Sequence, residues 1–303
     1  MSEQISEQIL RLKAEKRAVI LAHYYAPPEV QALADAVGDS FYLAKLARGT
    51  DADVILLCGV SFMGESAKLL NPEKKVLMPD VMADCPMAHM VAEGEIEKMR
   101  ARYEDLAVVC YINSTAELKA KSDVCVTSSN ALKIVRALPN KNIFFIPDRN
   151  LGRYVAEQVP EKNIILNDGC CPIHVGIKAR DVLVLKDAHP TATVLAHPEC
   201  EAEVLALADY IGSTADMIRY AATRGEGEYI VCTEDGVLRQ LTVDLPEGRF
   251  YFPEPRPVCE GMKRNTLDAL LRALREETDE ITVGEEMQAR ALLPLERMLE
   301  LAK

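Results

Sequence analysis

The chain has 303 residues, 49% of them hydrophobic and 27% charged, and a formal net charge of −12 at pH 7. This length carries two or three domains with sizeable cores, and the composition is that of a globular protein, not a disordered one. So acidic a balance excludes a nucleic-acid groove or an anionic membrane surface as partner, since both need a basic patch, while local donors could still hold a small anionic substrate. No apolar run approaches bilayer-spanning length and Met1-Ser-Glu-Gln opens no signal-peptide core, so a cytoplasmic protein is expected.

In chain order, residues 3–16 predict a helix, with Ile5, Ile9, Leu10 and Leu12 on one side. Ala18-Val-Ile-Leu-Ala22 is a continuous apolar run, the pattern of a strand buried on both faces of a parallel sheet, and it ends in His23-Tyr24-Tyr25. A helical stretch through residues 30–34, the turn Gly38-Asp39-Ser40, a second helix over 41–47 and a strand at 54–57 follow. Gly59-Val-Ser-Phe-Met-Gly64 leads into another helix, then the strand at Val76. Strand, helix, helix, strand, helix, strand is an α/β pattern.

The same order returns twice. Val108-Val-Cys-Tyr111, Thr127-Ser-Ser-Asn130, Ile143-Phe-Phe-Ile146, Asn150-Leu-Gly152 and Ile164 make the second unit. Thr193-Val-Leu-Ala-His197, Gly212-Ser-Thr214, Tyr229-Ile-Val231, Gly236 and Phe250 make the third. Polar residues keep the register: His23, Tyr111 and His197 are 88 and 86 residues apart, as are Tyr25, Asn113 and Glu199, and Ser40, Ser128 and Thr214. A period of about 87 residues is too long for a solenoid repeat and suits a small αβα domain. The expected fold is therefore three αβα domains with short parallel sheets around a pseudo-threefold axis. Their expected spans are 1–84, 85–170 and 171–258, with the helical tail 259–303 packing back on the first.

Nine cysteines without a CxxC pair argue for reduced thiols and against thioredoxin or zinc-ribbon motifs. Cys58, Cys110, Cys125 and Cys232 lie in or beside apolar runs and are expected in the core, while Cys170 and Cys200 stay undecided. Cys85, Cys171 and Cys259 differ. They are 86 and 88 residues apart, and each follows a short apolar run: Lys75-Val-Leu-Met-Pro-Asp80, Asn163-Ile-Ile-Leu-Asn-Asp168 and Arg249-Phe-Tyr-Phe-Pro-Glu254. One thiol per repeat, delivered to a common point, fits an iron–sulfur cluster or a zinc ion. A cubane on three cysteines keeps one iron without a protein ligand, which suits dehydration chemistry. Taken singly each would be read as a buried thiol; the shared register favours ligation.

Ligands bind at the carboxyl ends of strands in such sheets, where His23, Tyr25, Tyr111, Asn113, His197 and Glu199 fall. Ser40, Ser128 and Thr214 are expected at helix N-termini, where a hydroxyl can cap the helix, hold an anion, or both.

In this order these motifs resemble the quinolinate synthase family, iron–sulfur enzymes of bacterial and archaeal NAD biosynthesis. The likeness runs over nearly the whole chain. It rests on His23-Tyr-Tyr25, Asp80 to Cys85-Pro86-Met87, Tyr111-Ile-Asn113-Ser, Thr127-Ser-Ser-Asn130, Gly169-Cys-Cys-Pro-Ile-His174, His197-Pro-Glu-Cys200, Gly212-Ser-Thr214 and Cys259-Glu-Gly-Met-Lys263. The resemblance implies condensation of iminoaspartate with dihydroxyacetone phosphate, with loss of phosphate and two waters, on a [4Fe-4S] cluster held by Cys85, Cys171 and Cys259. It implies substrate contacts at His23, Tyr25, Ser40, Tyr111, Asn113, Ser128, His174, His197, Glu199, Ser213 and Thr214, with Tyr25, Tyr111, His197 and Glu199 as the catalytic candidates. It also implies functional coupling to an L-aspartate oxidase or dehydrogenase as the source of iminoaspartate.

The chain departs from the family pattern in three places. It has no tryptophan, with Asn167 and Asp168 before the Gly-x-Cys segment; Glu260-Gly261 follows the third cysteine; and Met262 stands where some members carry a further cysteine. Two readings from other classes compete: a non-catalytic iron–sulfur sensor and a three-thiolate zinc hydrolase.

Overall fold

The computed structural model describes residues 2–303. Among them are three four-stranded, wholly parallel sheets. The first holds β1 (Ala18–His23), β2 (Ala36–Gly38), β3 (Val54–Cys58) and β4 (Lys75–Leu77). The second holds β5 (Leu106–Tyr111), β6 (Val124–Val126), β7 (Asn142–Ile146) and β8 (Asn163–Leu166). The third holds β9 (Thr193–Ala196), β10 (Tyr210–Ile211), β11 (Glu228–Cys232) and β12 (Arg249–Tyr251). Each sheet runs second–first–third–fourth in chain order and is flanked by helices, so the chain is three αβα units of one topology.

The sequence pattern lacks β2, β6 and β10. These strands have three, three and two residues, too few for a periodicity to register. An aspartate ahead of each marks them instead. Asp35 accepts from the Ile20 N–H (2.8 Å), Asp123 from Val108 (2.6 Å) and Asp209 from Val194 (2.8 Å). In every unit the carboxylate satisfies a first-strand amide that the short edge strand leaves unpaired.

The first strands are buried because they are covered on both faces. Ile20, Leu56, Ile9, Leu270 and Leu274 form one cluster on the outer side of the first sheet, where helices Ser2–Glu15 and Leu267–Glu276 lie together. The other side opens into a core shared with the second unit, from Leu57 and Phe62 through Val109 and Phe144 to Leu295 and Met298. Leu295 and Met298 belong to the last helix, Glu285–Leu301, which packs on Ala116–Ala120 and Val124–Val126 of the second unit and on Ser61–Leu70 of the first. The third unit has core clusters of its own.

The units meet head to tail. The residue four positions past the third strand of each sheet (Phe62, Asn150, Gly236) touches the next unit. Lys119 Nζ donates to the Phe62 carbonyl (3.3 Å), Asn150 Nδ2 to the Glu199 carbonyl (3.1 Å), and Gln31 Nε2 to the Gly236 carbonyl (3.2 Å). First to second, second to third, third to first closes a ring with approximate threefold symmetry. Gly236 is required there, because a Cβ would come within 2.7 Å of the Tyr25 Cα.

Candidate active site

The carboxyl ends of the three sheets face the ring's axis around one chamber of about 690 Å³, counting its open mouth. His23 and Tyr111 end β1 and β5, and His197 follows β9 directly. All three line the chamber, with Tyr25, Asn113 and Glu199 two residues further on. Ser40, Ser128, Thr214, His174 and the thiol-bearing Cys85, Cys171 and Cys259 complete the predicted set at its wall. Ser213 stays off the wall. It is fully buried and caps helix Thr214–Arg224, exchanging hydrogen bonds with Asp216. The capping residues of the other two matched helices are Asp39 and Asn130, so Ser40 and Ser128 have hydroxyls not spent on the N-cap position. Asp39, Phe62, Thr127, Glu234 and Met262 also line the chamber. Glu234 had a signal in the sequence, since it stands in register with Asp148, 86 residues earlier.

The two strand-end histidines have a set tautomer. The Tyr25 N–H donates to His23 Nδ1 (3.1 Å) and the Glu199 N–H to His197 Nδ1 (3.3 Å), which leaves Nε2–H as the donor in each ring. Burial holds both rings at about 3, far below the usual histidine range; Lys263 adds to this at His23. Both are neutral at pH 7. Glu199 is fully enclosed, and burial opposes its charge, but His174 and His197 beside it outweigh burial and hold its carboxyl below the usual range. Its Oε2 takes the His174 Nδ1 at 2.7 Å, while Oε1 has no hydrogen-bond partner among the described residues. Burial, with Glu199 nearby, keeps the Tyr25 and Tyr111 phenols protonated far past neutral pH.

Each of the three cysteines opens a short helix after its sheet's last strand: Pro86–His89, Pro172–Gly176 and Glu260–Lys263. An acid grips two of their backbone amides, Asp148 at Cys171 (3.0 Å) and Glu234 at Cys259 (2.9 Å). Burial pushes the Cys85 thiol up to about 12 and raises Cys171 and Cys259 too. Three thiols in such a place become thiolates only with a cationic centre to bind, so the donor set fits a metal group. A single zinc at ~2.3 Å would draw three sulfurs to within about 4 Å of one another. Among the described residues, the ligand atoms that approach within 4.8 Å as a set are those of Cys171, His174 and Glu199. The three thiols do not form such a set among the described residues.

Fold and chamber together define an α/β enzyme with its site where three repeated units meet, one cysteine of each unit at the wall. The model of the quinolinate synthetase A protein family matches residues 7–300. The quinolinate synthase of Fusobacterium nucleatum is 52% identical over 298 residues, covering 98% of this chain and 99% of that protein. That of Clostridioides difficile is 48% identical over 303 residues with both chains fully covered, and that of Caldicellulosiruptor saccharolyticus is 49% identical over 300 residues, 99% of each. The chain belongs to the quinolinate synthetase A family, an iron–sulfur family of NAD biosynthesis. The sensor and zinc-hydrolase readings find no support. No helix is long and apolar enough to cross a membrane among the described residues.

Proposed function

We propose that this chain condenses iminoaspartate with dihydroxyacetone phosphate to form quinolinate, releasing phosphate and two waters, as a transferase of NAD biosynthesis. The observation that carries the reading is the convergence of one cysteine from each repeat on a chamber walled by three matched sets of polar strand-end residues. Cys85, Cys171 and Cys259 would hold a [4Fe-4S] cluster. When bound, a cluster on three cysteines supplies one iron without a protein ligand, a Lewis acid for dehydration.

The chain's own residues supply the rest. Two carboxylates and a phosphate need local donors inside an acidic protein, and the neutral Nε2–H groups of His23 and His197 with the hydroxyls of Ser40, Ser128 and Thr214 are such donors. Asn113 adds an amide. Tyr111 and Tyr25, kept as phenols by burial, serve developing oxyanions. Glu199 is the proton acceptor in tautomerisation and elimination: it is ionised and has one oxygen free. His174 holds its other oxygen and His197 lies beside it. Ser213 supports the site by fixing the helix that carries Thr214.

We place the unit boundaries at the cysteines, 1–84 with 259–303, 85–170 and 171–258; helix Glu285–Leu301 of the tail also braces the second unit. Nine free cysteines support a cytoplasmic setting, where an L-aspartate oxidase or dehydrogenase would supply iminoaspartate.

Protein purified without oxygen should be brown, absorb broadly near ~400 nm as cubanes do, and form quinolinate from the two substrates. Colourless, inactive protein would sink the proposal. Cys171→Ala should lose the cluster; a full iron complement in that variant would remove Cys171 from the ligand set. Glu199→Gln should keep the cluster and lose at least about 100-fold in turnover, and unchanged activity would take Glu199 out of the chemistry.

A further inference from the structure

Lys263 ends the short helix that Cys259 opens and does not itself line the chamber. Its partly buried ammonium meets three acceptors: Glu234 Oε1 at 2.8 Å, Asp235 Oδ1 at 3.0 Å and the Tyr25 carbonyl at 3.0 Å. An ammonium has three N–H groups, so every donor is used. The same Glu234 oxygen accepts the Cys259 N–H at 2.9 Å, and the other accepts from Gly236 at 2.7 Å. Tyr25 gives its own N–H to His23 Nδ1, so with Lys263 on its carbonyl both polar groups of its backbone are held.

Nothing comparable stands at the other two cysteines. The residues four positions past Cys85, Cys171 and Cys259 are His89, Val175 and Lys263. His89 turns to Asp84 of its own unit at 2.8 Å, and valine has no side-chain donor. Asp148 grips Cys171 as Glu234 grips Cys259, but spends its other oxygen on the Leu151 N–H of its own unit.

We propose that Lys263 is a positioning residue that ties the third cysteine to the first unit's tyrosine. One nitrogen fixes the carboxylate that holds the Cys259 backbone and, from the same point, the backbone of Tyr25. The thiol and the phenol on this side of the chamber therefore keep one spacing. A lysine suits the position because three acceptors converge on a single atom. A guanidinium spreads its donors over a planar fork, and an apolar side chain would leave the Tyr25 carbonyl and the enclosed Glu234 without this donor.

This rests on the functional reading above, and the test separates the two. Lys263→Met keeps the aliphatic stem and removes all three donors. In cluster-loaded protein it should release iron to a chelator at least about 10-fold faster than the parent, as loss of a ligand's supporting partner does. It should also lower kcat by about 10- to 100-fold with KM within about threefold, since Lys263 touches no substrate. The electron paramagnetic resonance spectrum of the reduced protein should change, a signature that a merely structural loss would not give. Crystal structures of the cluster-free proteins provide a readout without turnover: the spacing of Cys259 and Tyr25 should change while Cys85 and Cys171 stay in place. Lys263→Gln, left with an amide's two donors, should change in the same direction and is read in its stead should Lys263→Met not fold. If the parent makes no quinolinate but Lys263→Met shows the altered spacing, the functional reading fails and the tie stands. Parent-like iron release and kcat in the variant overturn the proposal. So does an unchanged spacing of Cys259 and Tyr25.

Discussion

Between the first and second units the buried side chains run together as one core, from Leu57 and Phe62 to Val109 and Phe144, sealed by Leu295 and Met298. Between the third and first, where Tyr24 and Tyr25 edge the third unit's own core, polar contacts are prominent: Tyr25 to Thr214 and Thr233, Gln31 to the Gly236 carbonyl, and Lys263 of the tail to Glu234. Apolar packing is strong but tolerant of direction; hydrogen bonds add little net energy and fix angles. The apolar junction thus holds the ring together, and the polar one aims the groups at the chamber. Lys119 marks the boundary of this rule. It is fully buried at the apolar junction and satisfies the Phe62 and Ser114 carbonyls, with burial pulling its pKa down and Glu65 opposing.

The largest effect should come from the apolar side. Leu295→Ala, at a fully buried site, should lower the unfolding free energy by about 3 kcal/mol in urea titrations while KM stays put. A loss below about 1 kcal/mol would mean the last helix does not cement the units. At the polar junction Gln31→Ala leaves the carbonyls of Tyr24, Ala26 and Gly236 without that donor. The expected cost is about 2 kcal/mol, and here turnover should fall as well; parent-like turnover would deny the junction its aiming role.

A smaller effect follows from His23. Its pKa drops from 6.5 to about 3 on burial, so below pH 6.5 the unfolded chain takes up a proton that the fold refuses. Stability is complete above 6.5 and is lost as pH falls toward 3, by up to about 1.4 kcal/mol per pH unit. In cluster-free protein His23→Asn should remove that share of the acid slope; Asp148, pushed up to about 8 by burial, acts in the opposite sense and is common to both proteins. Equal slopes would show His23 charged in the fold. Smallest is Arg149→Ala at the second–third junction. Arg149 and Glu201, 2.9 Å apart and partly exposed, should contribute less than about 1 kcal/mol, and a larger loss would give this junction a strength its exposure denies.

What could be read from the sequence was whatever repeats in register. The buried first and third strands, the polar residues at their ends and the three cysteines recur at 86 and 88 residues, and the chamber is built from them. Cys58, Cys110, Cys125 and Cys232 are fully buried, as apolar neighbours implied, and Cys200 joins them. Legibility ended where an element is too short or a partner too distant. The two- and three-residue edge strands leave no periodicity. Ser213 looks like its neighbour Thr214 until the capping box with Asp216 is seen. Thr233 is an unremarked threonine in sequence, because Tyr25 is 208 residues away and only the closed ring brings them together.

The residues at 62, 150 and 236 occupy one position in three copies of the same unit, yet they are Phe, Asn and Gly. A large ring, an amide and a bare backbone thus stand at the three junctions, and of the three it is Phe62 that reaches the chamber wall. The chamber therefore has three similar walls that cannot be exchanged. A true threefold site would accept a molecule in three equivalent poses and could not tell one anionic end from another. Here the copies place polar groups on every side, and unlike residues at matched positions of the wall, Tyr111 against His23 and His197 and Asn113 against Tyr25 and Glu199, give the site a sense of direction.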